Sequence, residues 1–334
     1  MKTKAAVLYK LNSPLVIKEI EIPLLKKGQV LVKILASGIC RSQLNEIKGL
    51  KGEDRYLPHL LGHEGAGVVE DIGPKVKKVK KGDYVVLSWI KGEGLEAPVP
   101  QYLTDEGIVN SGAVATFSEY SVVSENRLVK IPRSLPPHLA ALLGCALPTG
   151  GGAVIHDFAL SQRTSMAVFG VGGVGAGAIL VAKMKNCGRI VAVDITQEKL
   201  AFARKLGATE TIFFRDCQNL TVDFALEASG VKTVMEKAFE SIKNTGILVI
   251  AGNLQKGEKI SINPFELMLG KKIIGSWGGE TKPDNDIPFY ARAYLKGKLK
   301  LDKLITQKIK LEEINKAFEQ MEMNKILGRI IIEF

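Results

Sequence analysis

The chain has 334 residues, of which 46% are hydrophobic and 24% charged, so it is long and apolar enough for two ordinary cores. This composition excludes a disordered chain, and four cysteines without a short-spaced pair exclude a disulfide framework or a CxxC zinc knuckle. The net charge is +11, yet the densest lysine run, residues 75–81, contains valines and no aromatics, which is typical of a solvated loop and argues against a nucleic-acid partner.

The N-terminal part, up to about residue 145, consists of short alternating or apolar segments separated by Gly, Pro and Lys. Residues 30–36, 66–72 and 83–89 are the clearest of these, and they predict a mostly β domain. The first residues, MKTKAAVLYKLNS, contain no unbroken apolar segment of the kind that a secretory signal needs. We therefore expect a cytoplasmic protein with no membrane partner.

The pattern changes at Met166. Four apolar runs of strand length follow (SMAVFG, RIVAVDI, TVDFALEA and GILVIAG), separated by segments long enough for helices. Buried strands that alternate with helices predict an α/β fold with a doubly wound parallel sheet. The uncharged stretch 164–182 approaches the length of a membrane span, but its five glycines disfavour a lone helix. The tail ends with an amphipathic helix pattern, LEEINKAFEQMEMN, and a closing strand, RIIIEF.

A dinucleotide-binding fingerprint lies between the first of these strands and the helix pattern after it. The GxGxxG spacing falls on Gly170, Gly172 and Gly175. The first glycine allows a tight turn, the second lets a pyrophosphate approach the backbone, and the third lets the helix pack on the strand. Asp194 ends the next strand about 20 residues further on, where a carboxylate binds the ribose hydroxyls and repels a 2′-phosphate. The alternative is a glycine-rich packing turn, but the context favours a Rossmann site for NAD rather than NADP.

Three potential zinc ligands are scattered through the β-rich part: Cys40, His63 and Cys145, with Glu64 beside the histidine. Two thiolates and one imidazole suit zinc, and three protein ligands leave a fourth position for substrate or water. Taken singly, each cysteine is equally well a small buried hydrophobe, and the histidine a hydrogen-bonded core residue. Spacing alone does not assemble a metal site.

The order of motifs along nearly the whole chain resembles that of the zinc-dependent medium-chain alcohol dehydrogenases. The matching segments are SGICRS, GHEGAGVVEDIG, GDYVV, FSEYSVV, GCALPTG, VFGVGGVG, VAVDITQEKLAFARKLGATE and KLKLDKLIT. The resemblance implies a β-rich GroES-like catalytic domain, residues 1–146 and 280–334, and an inserted Rossmann domain, residues 147–279. It also implies a small-molecule alcohol or aldehyde substrate and a homodimer or homotetramer.

The resemblance also assigns roles to individual residues. Cys40, His63 and Cys145 would bind one catalytic zinc, with Glu64 behind the metal or as a transient ligand, and Ser42 would hydrogen-bond the alcohol. Arg41 and Arg329 would bind the pyrophosphate, Lys199 the ribose, and Thr149 would lie beside the nicotinamide. The complete set assigned to the dinucleotide is Arg41, Thr149, Gly170, Gly172, Gly173, Val174, Gly175, Asp194, Lys199 and Arg329.

The chain also departs from the family pattern in three ways. The region after Trp89 contains no cysteine before Cys145, so we expect no structural zinc. Gln43 stands where an aspartate usually supports the ligand histidine, and Asn45 stands where a histidine often ends the proton relay. An amide does not accept a proton near neutral pH, so the proton must leave through ribose hydroxyls and water or through another base such as His59.

The expected activity is reversible hydride transfer between an alcohol and NAD, with zinc as Lewis acid. Three alternatives stay open. A polyol or sugar dehydrogenase of the same superfamily generally has glutamate where this chain has Cys145. A zinc-free quinone or enoyl reductase would not need the ligand trio. The net charge alone would also suit a non-catalytic nucleotide- or nucleic-acid-binding protein.

Overall fold

The computed structural model describes all 334 residues, which form two compact units. The first unit comprises Met1–Cys145, Lys282–Leu295 and Ile305–Phe334, and the second comprises Ala146–Thr281 and Lys296–Leu304. The segment 296–304 differs from the sequence prediction, which placed it in the first unit. The reason is local packing: Leu299, Leu301 and Leu304 are buried, and Lys303 Nζ donates to the Lys205 carbonyl at 2.7 Å.

Eighteen strands are present. In chain order they are β1 (Lys2–Leu8), β2 (Val16–Glu21), β3 (Gln29–Ile39), β4 (His59–Leu60), β5 (Glu64–Ile72), β6 (Tyr84–Ser88), β7 (Tyr102–Thr104), β8 (Gly107–Val109), β9 (Tyr120–Ser124), β10 (Leu128–Lys130), β11 (Ser165–Phe169), β12 (Arg189–Asp194), β13 (Glu210–Phe213), β14 (Val222–Glu227), β15 (Ile242–Ile250), β16 (Lys272–Gly275), β17 (Ile305–Ile309) and β18 (Arg329–Glu333).

Nine α-helices accompany them. They are α1 (Arg41–Ile47), α2 (Pro137–Ala141), α3 (Ala146–Gly152), α4 (Gly173–Met184), α5 (Gln197–Leu206), α6 (Lys232–Glu240), α7 (Pro264–Met268), α8 (Pro283–Leu295) and α9 (Ile314–Glu322). A π-helical turn spans Ala153–Asp157, and short 3-10 turns span Glu125–Arg127, Leu142–Gly144, Phe214–Asp216, Leu301–Leu304 and Leu311–Glu313.

The first unit is built on two mostly antiparallel sheets. One has the order β4-β1-β2-β7-β8, and the other has the order β10-β6-β5-β3-β18-β17 with β9 also paired to β3. The cysteine-free region after Trp89 contributes the β7–β8 hairpin to the five-stranded sheet. In the other sheet, β3 and β5 run antiparallel with Ser37 opposite Gly65, so the end of β3 and the start of β5 lie side by side. This register places Cys40 and His63, two of the predicted zinc ligands, at neighbouring strand ends.

The second unit contains one six-stranded sheet, all parallel, with the order β13-β12-β11-β14-β15-β16. Counted from β11, this is the 3-2-1-4-5-6 order of a Rossmann sheet, and the strand order reverses between β11 and β14. Every residue of β11 is buried, as expected for a strand covered on both faces. The predicted doubly wound α/β fold is confirmed.

Several sequence expectations can be compared directly with these elements. The expected strand 83–89 runs from Tyr84 to Ser88, and the amphipathic tail pattern forms α9 before β18. The uncharged stretch 164–182 is divided between β11 and α4. No single helix is long and apolar enough to cross a membrane, although the bent pair Pro137–Gly144 and Ala146–Asp157 reaches that length and composition together.

Candidate functional site

The three predicted zinc ligands meet in the first unit. Cys40 follows the last residue of β3, His63 precedes β5, and Cys145 follows the 3-10 turn Leu142–Gly144. The β3–β5 register brings the first two together, and one ligand atom of each residue lies within 4.8 Å of the other two. His63 Nε2 is 3.2 Å from Cys145 Sγ. The fold therefore assembles a group that the sequence spacing leaves scattered.

Buried hydroxyl groups fix the segments that carry these ligands. Ser37 Oγ, on β3, donates to the Glu64 carbonyl at 3.1 Å, and Thr116 Oγ1 donates to the same carbonyl at 3.2 Å. Ser88 Oγ, at the end of β6, donates to the Gly144 carbonyl at 3.0 Å. Each accepting carbonyl belongs to a residue that adjoins a predicted ligand in the sequence. These interior hydrogen bonds therefore hold the backbone beside His63 and beside Cys145.

Two glycines allow the chain to pack closely around Glu64. A Cβ atom at Gly38 would lie 2.6 Å from Glu64 Oε1, and one at Gly144 would lie 2.8 Å from Glu64 Cα. Both distances are below ordinary van der Waals contact. The sequence carries no signal for these two glycines, because nothing in their local pattern indicates which distant backbone they approach.

Glu64, which follows His63 in the sequence, forms a buried ion pair with Arg329. Glu64 is fully buried, Arg329 is 4% exposed, and the Glu64 carboxylate contacts the Arg329 guanidinium. The close group of donor atoms comprises the two cysteines and His63, and the role of Glu64 behind the metal or as a transient ligand stays a prediction. The expected contact of Arg329 with a pyrophosphate stays a prediction, and its guanidinium is already engaged with Glu64.

The electrostatics of the site favour a thiolate at Cys40. The pKa of Cys40 lies well below its ordinary value because Cys145 donates a hydrogen bond to its sulfur. The positive charge of Arg329 and a hydrogen bond from His63 act in the same direction, and together they outweigh the opposing effect of burial. A deprotonated thiol is the form that binds metals.

The donor set fits a zinc ion. Tetrahedral zinc with bonds of about 2.3 Å to sulfur and 2.0–2.1 Å to nitrogen would separate its ligand atoms by roughly 3.5–3.8 Å. The mutual distances of the three donors, all within 4.8 Å, agree with that geometry after small side-chain adjustments. Three protein donors leave one coordination position open, which is typical of a catalytic site.

Helix α1 begins directly after Cys40 and carries three residues of interest. Arg41 is exposed, and its Nη2 donates to the Met321 carbonyl at 2.9 Å at the C-terminal end of α9. Ser42 is partly buried in the first turn. Gln43 is buried, and its Oε1 accepts a hydrogen bond from the Gly62 backbone N–H. Gln43 therefore contacts the backbone before His63, whereas a family aspartate at this position would hold the ring itself.

In the second unit, the glycine loop has the geometry of a dinucleotide cradle. Gly170 has φ +94°, and Gly172 caps the N-terminus of α4. A Cβ at Gly172 would meet no atom within 4 Å, so open space adjoins the backbone there. A Cβ at Gly175 would overlap the Gly170 carbonyl and lie 2.9 Å from Val168 Cγ1, so that position needs glycine for packing. Gly173 and Val174 form the first turn of α4, whose free N–H groups suit a pyrophosphate.

Asp194 lies at the same loop. Its Oδ2 accepts from the Val171 backbone N–H at 2.7 Å, and its Oδ1 accepts from Ile195 N–H at 2.7 Å. Lys199 Nζ is 3.8 Å from Asp194 Oδ1, so a carboxylate and an ammonium lie side by side at the end of β12. Thr149 is a buried residue of α3. The structure thus brings Asp194 and Lys199 to the glycine loop.

Sequence reasoning missed one buried acid beside this loop. Glu227 ends β14, opposite Phe169 of β11, and its Oε1 accepts from Ser229 N–H at 2.7 Å and Gly230 N–H at 3.0 Å. Complete burial raises its pKa. A Cβ at Gly170 would lie 2.9 Å from Ser229 N, so Glu227 shapes the turn against which the glycine loop packs. The sequence does contain a signal for Glu227, since it is an acidic residue at the end of the apolar run TVDFALEA.

A second group of ionisable residues lies in the first unit. Glu46 of α1, Asp54 of the following loop and His59 of β4 place one ligand atom each within 4.8 Å of the other two. His59 is the alternative base predicted from the sequence, but nothing in the sequence predicts that Glu46 and Asp54 face it.

Two family models match the chain. The model described as "Alcohol dehydrogenase GroES-like domain" matches residues 26–133, and the model described as "Zinc-binding dehydrogenase" matches residues 173–293. Together these ranges cover most of the chain. The first lies in the first unit and confirms the expected GroES-like domain, and the second covers much of the second unit and continues over 282–293 of the first. The predicted ligands Cys40 and His63 lie in the first range, and Gly173 to Asp194 lie in the second.

Solved structures give the same result over the full length. An alcohol dehydrogenase zinc-binding domain protein from Burkholderia ambifaria is 29% identical with a TM-score of 0.92, and the match covers 100% of this chain and 99% of that one. Benzyl alcohol dehydrogenase from Acinetobacter calcoaceticus is 29% identical with a TM-score of 0.90 and the same coverage. 2R,3R-butanediol dehydrogenase from Bacillus subtilis is 26% identical with a TM-score of 0.80 and 99% coverage of both chains. The chain belongs to the zinc-type medium-chain dehydrogenase/reductase family of oxidoreductases.

Proposed function

We propose that this oxidoreductase transfers a hydride between an alcohol and NAD, using one zinc ion held by Cys40, His63 and Cys145. The observation that carries the proposal is the convergence of these three donors within 4.8 Å. A zinc-free quinone or enoyl reductase has no need for such a group, and a non-catalytic nucleotide-binding protein has no need for either thiol.

The overall reaction converts an alcohol and NAD⁺ to a carbonyl compound, NADH and a proton. When bound, zinc would supply Lewis-acid chemistry that favours loss of the alcohol proton, and the nicotinamide would supply the hydride acceptor. Ser42, two residues after the ligand Cys40, offers a hydroxyl that accepts the alcohol proton while donating its own onward. Arg329 neutralises the buried Glu64 carboxylate, which limits the negative charge behind the site.

Asp194 supports NAD as the cofactor. Its carboxylate is pinned to the glycine loop through Val171 and has only one neighbouring ammonium, that of Lys199. A 2′-phosphate at this position would meet like charge, whereas two ribose hydroxyls would find an acceptor. We therefore propose NAD in preference to NADP.

The relatives define the substrates to be tried first. One relative is named as a benzyl alcohol dehydrogenase and another as a butanediol dehydrogenase. Cys145 in place of a glutamate supports simple or aromatic alcohols over polyols and sugars, which remain the second candidate class. Within that class, the shape of the pocket around the zinc would select the individual alcohol.

We also propose a homodimer or homotetramer in a reducing compartment such as the cytoplasm. β16 is an edge strand of the parallel sheet, and the helix α7 before it exposes Phe265 and Met268, which are 58% and 80% exposed. Pairing of this edge strand with the same strand of a second chain would satisfy its unpaired backbone N–H and C=O groups. All four cysteines are free thiols. A monomer by light scattering at micromolar concentration would contradict the assembly.

The decisive experiment is a substrate panel followed by the absorbance of NADH. Zinc-loaded protein is mixed with NAD⁺ and benzyl alcohol, ethanol, 2,3-butanediol or sorbitol. We expect NADH formation with at least one simple or aromatic alcohol and none after chelation. Turnover that survives removal of zinc would support a zinc-free reductase, and a preference for sorbitol would support the polyol class.

A further inference from the structure

The proposed reaction leaves one proton that needs an acceptor, and this inference rests on that proposed function. Ser42 passes a proton on but does not keep it, and Asn45 in the next turn carries an amide that does not titrate. Glu64 is engaged with Arg329. The acceptor must therefore lie beyond Ser42.

A compact acid–base cluster lies along the helix that carries Ser42. Glu46 follows Ser42 by four residues on α1, so the two side chains share one face with Cβ atoms about 5–6 Å apart. Glu46 is roughly 9 Å along the helix axis from Cys40. A short chain of water molecules or hydroxyl groups would be needed to span that distance. Gln43 Nε2 donates to Glu46 Oε2 at 3.5 Å, and this hydrogen bond restrains the Glu46 carboxylate.

His59 is the centre of the cluster. The residue is 5% exposed, its Nε2 is 2.7 Å from Asp54 Oδ2 and 4.0 Å from Glu46 Oε1, and its Nδ1 is 3.1 Å from the Leu60 carbonyl. Both ring nitrogens face oxygen acceptors. A neutral ring donates through one nitrogen only, so a second proton on the ring would find an oxygen acceptor already in place.

Two carboxylates and one exposed lysine surround His59 and connect its ring to solvent. The groups that face the ring are the Glu46 carboxylate from α1 and the Asp54 carboxylate from the loop before β4. Lys51 Nζ binds the outer side of Glu46 at 2.7 Å and is 51% exposed. The two carboxylates place oxygen atoms 4.0 Å and 2.7 Å from the ring Nε2, and the Glu46–Lys51 side of the cluster reaches solvent.

We propose that Glu46, His59 and Asp54 form the terminal proton acceptor for alcohol oxidation. The O–H bond of the alcohol breaks as the Ser42 oxygen takes its proton, and the Ser42 proton moves through water to the Glu46 carboxylate. The neutral His59 ring then takes it through Nε2 or a bridging water and becomes an imidazolium paired with Asp54. Release to solvent completes the cycle, and the electron pair of the C–H bond leaves separately as hydride to NAD⁺.

The test compares His59→Gln and Glu46→Gln with His138→Gln, a histidine of α2 in the same unit that faces Lys308 and Glu333. The probes are NAD⁺ and the best alcohol of the substrate panel. Two quantities are followed from pH 6 to 10: kcat for NADH formation, and proton release reported by an indicator dye in weak buffer. Zinc content and the Kd for NADH are measured in parallel.

For both cluster variants we expect kcat about 10–100-fold below wild type near pH 7 and converging with it near pH 10, where hydroxide replaces the acceptor. The rapid proton release that precedes NADH formation in wild type should be lost, with zinc content and NADH affinity unchanged. His138→Gln should follow wild type throughout.

Cluster variants with the wild-type pH profile and proton release would overturn the inference. So would a loss equal at every pH, because that indicates a structural role. Absence of NADH formation by zinc-loaded wild type would instead refute the proposed function itself, so the two failures are distinguishable.

Discussion

The metal group and the glycine loop depend on opposite features of the sequence. The loop lies in one short stretch, Gly170 to Gly175, and works because side chains are missing there. The metal group comes from three distant segments and works because Cys40, His63 and Cys145 supply donor atoms. Local rules therefore predict the loop, whereas the metal group exists only after β3 and β5 have paired. The two regions should respond to substitution in correspondingly different ways.

The largest effect is expected from removing a metal donor. Cys145→Ser or Cys40→Ser should abolish zinc binding and lower turnover by at least roughly a thousandfold, because Lewis-acid stabilisation is worth several kcal/mol. The affinity for NADH should persist, since the glycine loop belongs to a different unit. Zinc analysis, NADH titration and kcat on the same samples check this.

A matched control is available at Cys187. It is a buried cysteine of the second unit, and its Sγ donates a hydrogen bond to the Thr164 carbonyl at 3.4 Å. A serine hydroxyl at this position would donate the same hydrogen bond. Cys187→Ser should keep both zinc and turnover. Normal turnover in Cys145→Ser would show that the donor group is not catalytic.

The next effect separates binding from packing within the loop. Gly175→Ala should cost about 1–3 kcal/mol of folding free energy, because its Cβ would overlap the Gly170 carbonyl. Gly172→Ala should leave stability unchanged, since its φ is −84° and no atom lies near the new Cβ. It should nevertheless weaken NADH binding about tenfold or more by filling the space for the pyrophosphate. Urea unfolding and NADH titration check the pair, and the opposite assignment of the two losses would contradict this account of the loop.

The sequence predicted the second unit more completely than the first. The apolar runs at 165–169 and 189–194 form adjacent parallel strands, as predicted. They could be predicted because a strand buried on both faces is apolar along almost its whole length. Segment 296–304 groups with the second unit through the burial of Leu299, Leu301 and Leu304, and a contact of that kind leaves no local signal in the sequence. The hydrogen bond of Gln43 to the Gly62 backbone and the cluster around His59 depend on tertiary contacts, for which the sequence carries no period or spacing signal.

Cofactor preference is the third expected effect. Asp194→Ser removes the charge that would repel a 2′-phosphate, so the ratio of kcat/KM for NAD to that for NADP should fall by roughly tenfold, about 1.4 kcal/mol. Part of the loss will affect NAD as well, because Asp194 also holds the Val171 backbone. If wild type uses NADP as efficiently as NAD, the assigned role of Asp194 is wrong.

The smallest effect concerns acid stability of the second unit. Burial alone would raise the pKa of Asp223, but hydrogen bonds from Lys243 and Ser165 outweigh it and lower the pKa to about 2. This depressed value contributes stability that is fully present above the ordinary carboxyl pKa near 4 and is lost as the pH falls towards 2. Asp223→Asn should therefore cost at most about 2 kcal/mol at pH 7, less with solvent screening, and nothing near pH 2. Urea unfolding at pH 7 and at pH 2–4 checks this, and a cost independent of pH would contradict it.

The most direct test of a zinc-dependent dehydrogenase is the zinc content of the protein measured together with its turnover. We predict one zinc per chain, loss of NADH formation in proportion to zinc removed by a chelator, retention of NADH binding, and recovery of turnover when one equivalent of zinc is returned. Full turnover in zinc-free protein, or two tightly held zinc ions per chain, would contradict the account.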